Sequence, residues 1–274
     1  MMNNKLKDAI YGFAVGDALG VPVEFKQRGS YQLDKMVGNG THRQMKGTWS
    51  DDTSMTIATC DSIKEMGGIN LNDLRAKFRG WLFVGKYAID GKVFDVGGTT
   101  MKALRDGVGC DDVYSNGNGS LMRVLPLAFM DDVDDQDIAM VSSLTHAHQI
   151  SCESCVLYVA IARELIAGRT LKSIIREMEM EAPFHRIRSI FSLTEDEIKS
   201  TGYVVDTLEA ALWAVATTDN YKDAVLKAVN LGDDTDTVAA VAGGLAGIIY
   251  GIEGIPEEWV ADLRGKDIID SCLF

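Results

Sequence analysis

Apolar residues along this chain recur mainly at helical spacing. Leu6, Ile10, Phe13 and Ala14 fall three or four residues apart, and Asp17 lies in line with their stripe. Met55, Ala58 and Ile63 form a second face. Leu74, Phe78, Trp81 and Leu82 form a third, with Asn70 or Asn72 placed to cap it. The same reading predicts helices over 98–107, 119–130 (bent or ended near Pro126), 135–145, 151–167, 170–180, 205–217, 221–230, 234–251 and 256–264. Thr194-Glu195-Asp196-Glu197 has the form of a capping box before a short helix. Strand-like alternation is confined to Lys92-Val93-Phe94-Asp95-Val96. With no Pro/Ser-rich hinge and no fixed-period repeat, residues 1–274 are expected to form one all-α domain. Loops 91–100 and 107–120 concentrate Gly, Asp and Asn, a composition suited to binding as much as to turning.

Composition narrows the function. Hydrophobic residues make up 46% of the chain, enough for a sizeable core. A net charge of −13 argues against non-specific nucleic-acid binding and against docking on anionic membranes. The best apolar run, Val238 to Ile252, is Gly/Ala-rich and too short to span a bilayer. Five cysteines and no apolar leader after Met1-Met2-Asn3-Asn4-Lys5 predict a reducing, cytoplasmic setting. Cys152 and Cys155 run on into Val156-Leu157-Tyr158-Val159, so they read as core rather than as a zinc or redox motif. The acidity leaves room for a phosphate-bearing substrate, because cations and helix N-termini supply local positive potential.

Two acidic motifs carry the chemistry. Ser50-Asp51-Asp52-Thr53 and Asp233-Asp234-Thr235-Asp236-Thr237 each open an apolar helix. Capping and helix-dipole complementarity account for either alone, and Asp234 is placed to cap. Adjacent carboxylates repel, however, and burying these helix starts strands several charges unless cations neutralise them. Carboxylates and hydroxyls are the donors that Mg²⁺-like ions prefer, so the pair predicts a shared two-metal site. Gly16-Asp17-Ala18-Leu19-Gly20-Val21-Pro22-Val23-Glu24 ends a helix and puts Glu24 on the following loop. Ser115-Asn116-Gly117-Asn118-Gly119-Ser120 is a Gly/Asn loop able to offer backbone N–H groups to a diphosphate, or simply a turn. Thr145-His146-Ala147-His148 lacks a third zinc ligand, and a histidine at a helix C-terminus more often meets the dipole.

Taken in order, these motifs resemble the ADP-ribosylglycohydrolase family. The matching residues run from Gly16-Asp17-Ala18-Leu19-Gly20 with Glu24 through Ser50-Asp51-Asp52-Thr53 and Phe94-Asp95-Val96-Gly97 with Thr99. They continue through Gly117-Asn118-Gly119-Ser120, Met122-Arg123, Leu144-Thr145-His146 and Gly232-Asp233-Asp234-Thr235-Asp236-Thr237. The resemblance implies a single compact orthogonal helical bundle holding two Mg²⁺ ions, or Mn²⁺, at the base of an ADP-ribose cleft. Ser50, Asp51, Asp52, Asp234, Asp236 and Thr237 would be the metal ligands. Glu24, Asp51 and Asp52 would be catalytic. Asp95, Gly97 and Gly98 would line the ribose end, and Ser115, Gly117, Asn118, Gly119, Ser120 and His146 the diphosphate end. Tyr114 or Trp81 are candidates to cover the adenine. Two positions depart from many relatives, Ser50 standing for Thr and Asp233 for Gly. The implied reaction is hydrolysis of the bond between ADP-ribose and a protein side chain, arginine favoured, by a monomer acting on an ADP-ribosylated protein or small molecule. The alternative is a non-catalytic ADP-ribose binder on the same scaffold.

Overall fold

Burial of the apolar faces draws the predicted helices together in a computed structural model that describes residues 2–274. In chain order they are α1 Met2–Gly20, α2 Asp51–Met66, α3 Leu71–Val84, α4 Gly98–Asp106, α5 Asp135–Ser142, α6 Gln149–Ile166, α7 Leu171–Glu177, α8 Val204–Ala216, α9 Tyr221–Val229, α10 Thr235–Tyr250, α11 Glu257–Asp262 and α12 Lys266–Cys272. No strand occurs among the described residues; Cys110 with His146 and Gly117 with Tyr203 form isolated bridges only. The fold is all-α, and most of its buried apolar side chains form one connected cluster.

Small residues set the central contact. α1 and α10 run antiparallel with their backbones close together. A Cβ on Gly16 would meet the Ala239 carbonyl oxygen at 2.1 Å, and one on Gly20 would meet Asp236 Cα at 2.3 Å. Only glycine permits that approach. α8 and α9 cover α10, α3 and α12 pack on α2, and α6 packs against both α5 and α8. The C-terminal end of α1 therefore meets the first turn of α10.

Two expectations from periodicity fail for physical reasons, and one helix was not predicted. Residues 119–130 are not a helix but two short 3-10 turns, Leu121–Arg123 and Leu125–Phe129. Every residue from 120 to 129 is buried, so the apolar pattern there marks a core segment rather than one helix face, and Pro126 supplies no N–H. Residues 92–96 have no partner strand, and Asp95 sits at φ 56°. α12 lacks a long apolar stripe and carried no strong signal. Thr194 to Glu197 does form a reciprocal capping box, on a single 3-10 turn. Cys152 and Cys155 are both free thiols on α6, Cys155 buried in the core and Cys152 half-buried.

Candidate active site

Asp17 begins the assembly. It is fully buried, and its carboxylate accepts from Ser50 N at 2.9 Å, Thr53 N at 3.0 Å and Thr53 Oγ1 at 2.6 Å. These bonds tie the open N–H groups of α2 to α1. Burial pushes Asp17 up to about 6 and the donors work against that rise. Since α1 also abuts α10, the two acidic motifs are drawn to one place.

The motifs then interlock. Ser50 is the N-cap of α2, and its Oγ donates to Asp52 Oδ2 at 3.1 Å. From α10, Thr237 Oγ1 donates to the same Asp52 Oδ2 at 3.3 Å. Asp236 Oδ1 accepts from Thr237 N at 3.0 Å, and Asp234 Oδ2 accepts from Asn118 Nδ2 at 2.9 Å. Asp234 occupies the N-cap position of α10, but its side chain makes no capping bond, contrary to the sequence reading. Asp52 Oδ1, Asp234 Oδ1 and Asp236 Oδ2 are buried with no hydrogen-bond partner. Such orphaned carboxylate oxygens are costly unless a cation meets them.

Electrostatics point the same way. Burial first, and then Asp52 or Asp17 respectively, drives Asp51 and Asp52 well above the usual carboxylate range. Asp236 is driven up likewise by burial, Glu24 and Asp95. Burial, Asp95 and Asp234 push Glu24 up to about 10. No lysine or arginine lines the cleft to compensate. Oxygens of Glu24, Asp234 and Asp236 lie within 4.8 Å of one another, and so do ligand atoms of Glu24, His42 and Asp95. Hard oxygen donors, several of them unsatisfied, suit a divalent cation.

A cleft of about 250 Å³ opens over this cluster. Glu24, Asp51, Asp52, Asp95, Gly97, Gly98, Gly117, Asn118, Gly119, His146, Asp234 and Thr237 all line it, as the sequence suggested. Ser50 and Asp236 lie just behind, bonded to their neighbours as above. Gly97 is the N-cap of α4, so that helix start faces the cleft. Asn118 is held by its second amide hydrogen on Thr207 Oγ1 at 2.9 Å.

Other sequence candidates sit elsewhere. Ser115 Oγ donates to Asp112 Oδ2 at 2.8 Å, and Ser120 Oγ accepts from Ser142 Oγ at 2.9 Å. Both hydroxyls face the protein, which narrows the loop's contribution to Gly117, Asn118 and Gly119. Trp81 is 1% exposed within the core and cannot cover a base, whereas Tyr114 is 94% exposed. His148 caps the N-terminus of α6 through Nδ1, so its bond is with a helix start rather than a C-terminal dipole. Asp233 takes φ 57°, the left-handed region that favours glycine.

Three residues escaped the sequence reading. Asp17 was placed on the α1 stripe but not given its role. His42 bonds Glu24 through Nε2, with its ring centroid 6.0 Å from Phe25 and 5.2 Å from Phe94. Phe25 lines the cleft mouth while 67% exposed. The loop 38–47 that carries His42 has no periodicity, so nothing in the sequence linked it to Glu24.

Comparison with known proteins agrees with this geometry. The family model for ADP-ribosylglycohydrolase matches residues 2–273. The ADP-ribosylarginine hydrolase Tri1 of Pseudomonas putida (strain GB-1) is 36% identical over 94% of this chain and 73% of its own length. The ADP-ribosyl-[dinitrogen reductase] glycohydrolase of Rhodospirillum rubrum is 32% identical over 97% of this chain and 92% of its own. A solved structure described as an ADP-ribosylglycohydrolase-related protein complex superposes with a TM-score of 0.85 at 29% identity, covering 99% of this chain and 96% of that one. Matched by the family model over residues 2–273 and by relatives of 36% and 32% identity, this chain belongs to the ADP-ribosylglycohydrolase family and is a hydrolase.

Proposed function

We propose that the protein removes ADP-ribose from arginine side chains of modified proteins, using two divalent cations, Mg²⁺ for preference and Mn²⁺ as an alternative. Ser50, Asp51, Asp52, Asp234, Asp236 and Thr237 would hold them. The observation that carries this reading is the set of partnerless buried oxygens on Asp52, Asp234 and Asp236, contributed by two helices that meet end to end. Bound there, the cations supply Lewis acidity and the positive charge that lets these carboxylates ionise together.

The chain's own groups then divide the work. The attacking water gives its proton to a carboxylate oxygen of Asp51 or Asp52. Positive charge that grows at the anomeric carbon as its bond to nitrogen breaks is stabilised by the same carboxylates. Glu24, whose burial and acidic neighbours favour its protonated form, gives the proton from its carboxyl to the departing guanidine nitrogen. His42 holds that carboxyl in place. The backbone N–H groups of Gly97, Gly117 and Gly119 would meet the ribose and diphosphate oxygens, while that of Asn118 is given to the Gly202 carbonyl at 3.1 Å.

Arginine is favoured by charge as well as by kinship. The cleft carries no cationic side chain, half-buried Asp95 stands at its wall, and exposed Asp233 bonds to Phe25 through its backbone. That field attracts a guanidinium. A cleft of about 250 Å³ is small beside the ~300–1,000 Å³ that encloses a drug-sized ligand. The ribosyl end would therefore be buried and the adenine would lie across the open side, with exposed Tyr114 as the candidate to cover it.

The test is a product assay on ADP-ribosyl-arginine. Release of intact ADP-ribose that needs Mg²⁺ or Mn²⁺ and stops with EDTA is expected. Release of AMP would contradict the reading, as would activity unaffected by chelation.

A further inference from the structure

Arg123 is fully buried, yet it pairs with no carboxylate among the described residues. Its guanidinium stands 4.5 Å from the Phe78 ring centroid. Its Nη2 reaches Thr145 Oγ1 at 2.9 Å, with the carbonyls of Val141 and Ser142 at 3.1 and 3.3 Å, while Nε and Nη1 find no partner. An unpaired internal cation is a heavy cost for a fold to carry.

We propose that Arg123 and Thr145 are positioning residues that lock His146 as the Nε2–H tautomer, so that it offers a neutral hydrogen-bond donor to an oxygen of the ADP-ribosyl group. The ligand in that statement rests on the function proposed above; the lock itself does not. The argument is one of proton counting. A guanidinium has donors and no acceptor, so Thr145 Oγ1 must accept from Arg123. The Thr145 hydroxyl is fully buried and its own proton needs an acceptor. His146 Nδ1, at 2.8 Å, is the one within reach among the described residues. Nδ1 is therefore unprotonated and the ring proton resides on Nε2.

The imidazolium form fails on the same count, because it would set a second donor against the Thr145 hydroxyl. Burial and the charge of Arg123 also push His146 down to about 3, which keeps the ring neutral. Nε2 makes no hydrogen bond to the described protein, and His146 lines the cleft. The glycines opposite keep that edge open: a Cβ on Gly119 would meet His146 Cε1 at 2.8 Å, and one on Gly117 would stand 3.5 Å from Nε2. A neutral donor suits this place. It can bind a ribose or phosphate oxygen without forming an ion pair with the carboxylates nearby.

Long-range ¹H–¹⁵N correlation spectra of the ligand-free, Mg²⁺-supplemented protein read the tautomer directly, with His146 assigned from a His146→Gln variant. An unprotonated Nδ1 and a protonated Nε2, unchanged from about pH 5 to 8, are expected for a locked ring. The opposite tautomer, or an imidazolium in that range, overturns the lock whatever the enzyme cleaves. Thr145→Val should release the tautomer and weaken ADP-ribose binding about tenfold, and Thr145→Ser should restore both. If Thr145→Val leaves the spectrum unchanged, or Thr145→Ser fails to restore it, Thr145 does not set the ring. If the spectrum is as expected while wild-type protein binds no ADP-ribose, the lock stands and the ligand assignment falls.

Discussion

Thr237 Oγ1 on α10 donates to Asp52 Oδ2 on α2 at 3.3 Å, although the two residues lie 185 positions apart. That contact is the visible sign that two helix starts share one buried acidic site. Each start is apolar behind and charged in front, so neither is stable there without the other's neighbours and a compensating cation. The expected consequences concern stability as much as turnover.

Asp236→Asn should reverse the sign of its effect with cation supply. Asp236 Oδ2 is buried and partnerless, while Oδ1 accepts from Thr237 N, a bond that asparagine keeps. In EDTA the variant should be more stable than wild type by about 1–3 kcal/mol, because the cost of either ionising or protonating a buried, crowded acid has gone. In saturating Mg²⁺ the wild type should be the more stable, through ligand linkage. Paired thermal melts with and without chelator check this, and a variant less stable in both would remove the cation argument.

Glu24→Gln should lower kcat by about 100-fold or more while leaving cation binding close to wild type. Glutamine still fills the site and can still meet His42, but it cannot deliver a proton. Single-turnover rates combined with Mg²⁺ titration separate the two effects. Near-normal turnover would remove Glu24 as the acid.

Gly16→Ala should damage the site from a distance. Its Cβ would press to 2.1 Å from a backbone oxygen of α10, which is not a flexible side chain, so the helices must part. A loss of at least about 2 kcal/mol is expected from overpacking, together with weaker Mg²⁺ affinity. Gly98→Ala, where a Cβ meets nothing within 4 Å, is the control for a tolerated glycine change. Equal melting temperatures for Gly16→Ala and wild type would show that α1 and α10 are not so closely apposed.

Away from the cleft, Asp61 tests ordinary ion-pair physics. Burial raises its carboxyl, but Lys77 at 2.8 Å, Tyr87 and Lys86 more than reverse this and hold it below the usual range. A depressed folded-state pKa stabilises the protein above the unfolded value of about 3.9, and that gain is lost as pH falls through the folded one. Asp61→Asn should therefore destabilise at neutral pH, with the difference shrinking as pH drops below about 4. Denaturant midpoints at neutral and acid pH measure it; a difference that does not shrink in acid would assign the loss to packing instead.

Much of the site was legible before any coordinates. Adjacent acids at two apolar helix starts signal unsatisfied charge, and Asp51, Asp52, Asp234 and Thr237 indeed line one cleft. The family resemblance lay in the order of the motifs, and residues 2–273 match the family as a whole. What stayed hidden was direction. Asp17 and a solvent-facing helix-end acid look alike in sequence, because only the arrival of α2 turns its carboxylate into a triple acceptor. Ser120 belongs to the same loop as Gly119, yet its hydroxyl turns inward to Ser142. Trp81 has the chemistry to stack on a base but is spent on the core. Residues 119–130 read as helix because periodicity reports a buried face and says little where, as from 120 to 129, every face is buried.

Isothermal titration of the chelated protein with Mg²⁺, repeated with Mn²⁺, addresses the shared acidic site most directly. Two ions per chain are predicted, with both binding events lost or strongly weakened in Asp52→Asn. Saturation at fewer than two ions, or unchanged stoichiometry and affinity in that variant, would contradict it.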